Sequence, residues 1–223
     1  MNHLIILASI LFCFCISCTT QDLELADEFL SMGDFFQARK LYKKVIEHSP
    51  RNFQARFGTA LSYYQEAAYK TKQKTVTKED WENAVYHLKL ASHINETANL
   101  KKNLAGAYYN LGVYYKQNQQ FTASLSQFQR AVVFDTTLYE AYNQLGALYH
   151  QKGEYKKSEI AYIRSLHIKP NYAVAYFNLG SLYWTMKNFE KVINSWDKAV
   201  YLDRNNSHYQ EWLRKAKAKT RAR

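Results

Sequence analysis

The chain of 223 residues contains only two prolines and seven glycines. That scarcity argues against an all-β fold with many tight turns, and against long flexible linkers. Cysteine is confined to one end: Cys13, Cys15 and Cys18 are the only three, and the 205 residues after Cys18 have none. No disulfide framework and no paired-cysteine metal spacing can be written for the body of the chain. The first 20 residues carry no charged side chain, and the last ten, from Arg214 onward, carry no acid. Catalytic signatures are missing too, with no glycine-rich phosphate loop, no His-Glu-x-x-His and no Gly-x-Ser-x-Gly elbow. The seven histidines (3, 48, 87, 93, 150, 167 and 208) are scattered, and His87 and His93 are out of helical phase for a metal pair. These absences predict no enzyme, no metal site and no cofactor.

What the chain does have is bulk and repetition. Nineteen tyrosines, twelve phenylalanines and four tryptophans supply large contacts suited to stacked helices. Leu-Gly-x-x-Tyr begins at Leu111, Leu145 and Leu179, at intervals of 34 residues. A glycine inside a helix costs about 1 kcal/mol relative to alanine. Three at one interval, Gly112, Gly146 and Gly180, therefore need a shared packing reason, the close contact of a repeated helical hairpin.

Period and residue types together resemble the tetratricopeptide repeat. In that family small residues at positions 8, 20 and 27 let two antiparallel helices approach, and bulky ones at 4, 7, 11, 17 and 24 fill the space between. With the glycine at position 8, the units are 105–138, 139–172 and 173–206. Position 4 is Tyr108, Tyr142 and Tyr176, and position 24 is Phe128, Tyr162 and Trp196. Position 20 is Ser124, Ser158 and Val192, the last being large for its place. A more divergent unit spans 19–52, with Gly33, Phe35, Ala38 and Tyr42 at positions 15, 17, 20 and 24. Another spans 53–98 and carries an insertion near 70–78, in which Thr77-Lys-Glu-Asp reads as a helix cap. Residues 99–104 lengthen the helix that follows. The resemblance implies an all-α, right-handed α-α superhelix over 18–206, of about five hairpins. Residues 207–223 add a capping helix, on which Trp212 serves the cap, and a basic tail.

The same resemblance puts function on the concave face, and there Tyr109, Asn110, Asn143, Gln144, Phe177, Asn178 and Trp184 are the candidate peptide-binding residues. Amides at position 6 (Asn110, Gln144, Asn178) either hold an extended peptide backbone or bond the neighbouring helix. Tyr109, Phe177 and Trp184 are aromatic anchors of the kind enriched in binding hot spots. The lysine and asparagine clamp of chaperone-tail receptors is not reproduced, since Tyr109, Val113 and Val174 stand in its places.

At the other end, Leu4 to Ile16 form an almost unbroken apolar run, too short to span a bilayer and suited to a signal peptide over 1–17. Cys15-Ile16-Ser17-Cys18 resembles a relaxed bacterial lipobox, which implies lipidation of Cys18 and export to the bacterial cell envelope. A plain signal peptide or an uncleaved anchor is the alternative. Net charge is +11, and six of the positive charges sit between Arg214 and Arg223. That tail is either a solvated end or a contact for anionic headgroups; nucleic acid fits poorly with export. The expected function is a lipid-anchored scaffold for a protein or peptide partner. A small-molecule or lipid-binding solenoid and a self-associating structural protein are its competitors.

Overall fold

The computed structural model describes residues 19–221, so the signal-peptide and Cys18 expectations lie outside the described residues. Helix α1 (19–32) is followed by α2 (Phe35–His48), α3 (Phe53–Lys72), α4 (Lys78–Ser92) and α5 (Ala98–Gln117). Then come α6 (Phe121–Phe134), α7 (Tyr139–Gln151), α8 (Tyr155–Ile168), α9 (Ala173–Thr185), α10 (Phe189–Leu202) and α11 (Ser207–Arg221). Among the described residues there is no strand, and the fold is an all-α repeat of short-looped helices. No described helix is long and apolar enough to cross a membrane.

One turn recurs five times. After α1, α3, α5, α7 and α9 a residue with positive φ (Gly33, Lys74, Gln119, Gly153, Lys187) folds the chain back. The next amide then reaches the carbonyl five residues behind it, as in Asp34 to Phe29 (2.9 Å) and Asn188 to Tyr183 (3.0 Å). This is the Schellman closure, which satisfies carbonyls that a helix end would leave without partners. The return turns are also alike: Asn52 to Ser49, Leu138 to Asp135, Tyr172 to Lys169 and Asn206 to Asp203 are all three-residue backbone bonds. Glycine fills only two of the five left-handed positions. Extra residues near 70–78 go partly into length, since α3 runs for 20 residues to Lys72. A capping box of Thr77 and Asp80 then starts α4, and α5 is likewise 20 residues long.

Two compact units divide the chain within α5, the first ending at Tyr114 and the second beginning at Tyr115. In the first, Tyr42 lies fully buried among Leu23, Ala26, Leu30, Ala38, Val45 and Ala55. Its hydroxyl donates to the Asp27 carboxylate, and burial pushes its pKa far up, with the Asp27 charge adding to the shift. Gly58 admits the Tyr42 ring, because a Cβ there would lie 2.3 Å from it. Trp81, Leu88, Leu100 and Leu104 are buried further along, and Gly112 is buried in α5.

In the second unit the position-8 glycines meet the position-24 rings. A Cβ on Gly146 would stand 2.6 Å from Tyr162, and one on Gly180 would stand 2.3 Å from Trp196. Both rings are buried, so these glycines are helix-packing residues rather than turn residues. The small position-20 residue does more than leave room: the buried Ser158 hydroxyl donates to the Gly146 carbonyl at 2.7 Å. Val192, at the same position of the next hairpin, is fully buried and packs with Leu179, Leu182, Tyr183 and Trp196.

Candidate functional site

Helix α9 carries no charged residue from Ala173 to Thr185. Phe177, Ser181, Trp184 and Thr185 recur at helical spacing and share one face. Trp196 rises to that face from α10, its indole N–H donating to the Phe177 carbonyl at 2.9 Å. Helix α11 contributes Trp212 and His208, and α7 contributes His150. Together these eight residues line an open pocket of about 310 Å³.

Ring geometry fixes the walls. Phe177 stacks on Trp196 (centroids 5.6 Å, 20°) and on Tyr209 (4.6 Å, 22°). Trp184 stacks on Trp196 (5.6 Å, 26°) and meets Trp212 edge-on (6.1 Å, 80°). Such pairs hold one another in orientation beyond the area they bury. On the opposite rim, His150 Nε2 lies 2.9 Å from the Thr185 hydroxyl. That hydroxyl also lies 3.2 Å from the Ser181 carbonyl, to which it donates, and it can accept from His150 in the tautomer that carries its proton on Nε2.

Burial lowers the His150 pKa, and burial followed by the Arg56 and Arg39 charges lowers that of His87 in the first unit. Both imidazoles thus resist protonation in the folded state. On acidification the unfolded chain takes up protons first, near its ordinary value of about 6.5. Stability should be flat above that value, fall as pH drops through it, and level off below the folded pKa values. Urea midpoints between about pH 8 and pH 5 read this directly, and His87→Gln with His150→Gln should flatten the slope.

The amides lie apart from this pocket. Asn143 is buried, and its carbonyl accepts from the Asn178 amide at 3.0 Å, tying α7 to α9. The Gln144 carbonyl accepts from Lys116 Nζ at 2.7 Å, and burial lowers that lysine's pKa. Tyr109 and Asn110 are half-buried in α5, within the first unit. Of the seven candidate peptide-binding residues, Phe177 and Trp184 meet in the pocket, joined by His150, Ser181 and Thr185 from the same concave face of the repeat register. Trp196, Trp212 and His208 lie outside that face. Trp196 was placed as hairpin filler and Trp212 as cap, and both do that while also presenting ring faces to the cavity. Among the described residues no group of three or more His, Asp or Glu side chains is placed to hold a metal ion.

Two family models, both of the tetratricopeptide repeat, match this chain, one at 23–70 and the other at 105–133, 139–172 and 173–206. The chain belongs to the tetratricopeptide-repeat family. A search of curated proteins gave no match. Among solved structures, this tetratricopeptide chain is similar to the MamA protein at 26% identity and a TM-score of 0.57, covering 86% of this chain and 95% of that one. It is also similar to YrrB, a tetratricopeptide protein described as having an unusual peptide-binding site (21%, 0.56, 86% and 90%). A third likeness is the first tetratricopeptide domain of RPAP3 bound to an HSP90 peptide (14%, 0.52, 53% and 94%). The last two likenesses speak for the fold alone.

Proposed function

We propose that this tetratricopeptide protein is a scaffold that captures partner proteins by seating a peptide side chain in the aromatic pocket of its second unit. The carrying observation is the pocket itself: three tryptophans and a phenylalanine converge on a cavity whose other lining groups are two imidazoles and two hydroxyls. Tryptophan in a preformed concave site is the residue type that dominates binding energy at interfaces. The hydrogen bonds Asn178–Asn143 and Lys116–Gln144 support this reading by holding α9 and α7 in place beside the site. In the same proposal the scaffold is exported to the bacterial cell envelope and held there by acyl chains on Cys18.

A photo-crosslinking residue at Thr185, on the pocket rim, should trap a partner in the native cell. The same residue at Ile160, exposed on α8, should not. Ser181→Phe fills the cavity without removing a wall and should abolish the Thr185 crosslink while the helical circular dichroism stays. Capture that persists in Ser181→Phe rules the pocket out. Mass spectrometry of the same preparation should show Cys18 as an acylated N-terminus; an unmodified start elsewhere ends the anchor proposal.

A further inference from the structure

Aromatic walls by themselves favour a cationic occupant, through attraction to the ring faces. Here those faces already carry cations. Lys219 Nζ lies 5.0 Å from the Trp184 ring centroid and 5.6 Å from that of Phe189, and Lys215 Nζ lies 4.8 Å from that of Trp212. No carboxylate lines the cavity. On α11 the one acid, Glu211, pairs with Lys215, and Lys217 pairs with Asp197 on α10. Lys219 makes no ion pair among the described residues, and Arg214 and Arg221 lie on the other face of α11, beside Leu213 and Val200. The rim therefore carries uncompensated positive charge, which repels a second cation and attracts an anion.

Donors point the same way. The indole N–H groups of Trp184 and Trp212 make no hydrogen bond among the described residues, and the His208 ring is also without one. Unused donors beside flat apolar walls suit a ligand that brings a ring and acceptor oxygens. At about 310 Å³ the cavity sits at the small end of ligand sites, about 300–1,000 Å³, with room for one bulky side chain.

We propose that the pocket selects an acidic peptide segment bearing one aromatic residue, whose ring fills the cavity while flanking Asp or Glu carboxylates meet the Lys219 and Lys215 ammonium groups on its rim. This rests on the peptide-binding reading above and adds the chemistry of the partner. It differs from carboxylate capture by a lysine and asparagine clamp, whose positions are taken here by Tyr109, Val113 and Val174.

The test uses three end-blocked synthetic nonapeptides on the unaltered protein. One has a central phenylalanine flanked by Asp and Glu. The second has alanine for the phenylalanine, and the third has lysine for every acid. Fluorescence of Trp184, Trp196 and Trp212 reports occupancy, and calorimetry gives the affinity. The acidic phenylalanine peptide should bind at least tenfold tighter than either control and weaken as salt rises. Lys215→Glu with Lys219→Glu should cost it a further tenfold or more and improve binding of the lysine peptide. Equal binding of the three, or preference for the lysine peptide or for choline, overturns the acidic selection and leaves peptide capture standing. No binding by any peptide overturns it as well, and the Thr185 crosslink then judges capture separately. A dimer that dissociates in Ser181→Phe would assign the pocket to a second copy and overturn it too.

Discussion

Trp196→Ala is expected to remove about 3–5 kcal/mol from the stability of the second unit, the range for truncating a buried tryptophan. The side chain is 1% exposed, and its loss would leave space that its surroundings cannot close. Gly180 faces it with no side chain to move inward, while Phe177 stays stacked on Tyr209 and Trp184 stays edge-on to Trp212. The indole N–H also leaves the Phe177 carbonyl, which Ser181 Oγ still bonds at 3.0 Å, so the cavity rather than the lost polar contact dominates. Phe177 and Trp184 would lose the surface on which they stack, and peptide binding should go with it. Urea unfolding followed by circular dichroism measures the effect. A cost below about 1 kcal/mol would mean that Trp196 is not the keystone of this hairpin.

Gly146→Ala and Gly180→Ala should each destabilise by about 1–3 kcal/mol, the cost of forcing extra volume into a packed contact. The sign is the informative part, because glycine to alanine in a helix ordinarily stabilises by about 1 kcal/mol. Here the new methyl would lie 2.6 Å from the Tyr162 ring or 2.3 Å from the Trp196 ring, well inside contact distance. The cause can be isolated by a double-mutant cycle. In the Trp196→Ala background Gly180→Ala should turn neutral or stabilising, since the methyl then fills vacated space. An unchanged penalty in that background would place the clash elsewhere. Gly153→Ala is the contrasting case: nothing lies within 4 Å of its Cβ site, but φ is +76°, so the cost is backbone strain of about 1–2 kcal/mol.

Much of this architecture was legible in the sequence because its cause is local and periodic. Leu-Gly-x-x-Tyr recurs at Gly146 and Gly180 because both must admit a ring, and Tyr162 and Trp196 stand at the same offset from them. Gly58 obeys the same physics and escaped notice, since it admits Tyr42 from the helix before it and so falls outside the register. The fold-back turns were visible only where glycine marks them. Gln119 and Lys187 adopt φ of +59° because the Schellman hydrogen bonds impose it, and composition does not record that. The pocket was half legible. Phe177 and Trp184 could be placed on one helix face by counting, but Trp196, Trp212, His150 and His208 come from three other helices. Their meeting depends on how those helices cross. The Asn178–Asn143 bond depends on the same spacing between neighbouring repeats, which no single repeat encodes.

Because both kinds of joint recur with the same hydrogen bonds, each hairpin behaves as a cassette with standard couplings. Splicing another 34-residue segment between Tyr172 and Ala173 would extend the array by one whole step without re-tuning either junction. Length in such a chain is a dial that duplication can turn; the ring walls on α9–α11 would be carried outward with the end, and the inserted segment's counterpart of His150 would take over the fourth wall.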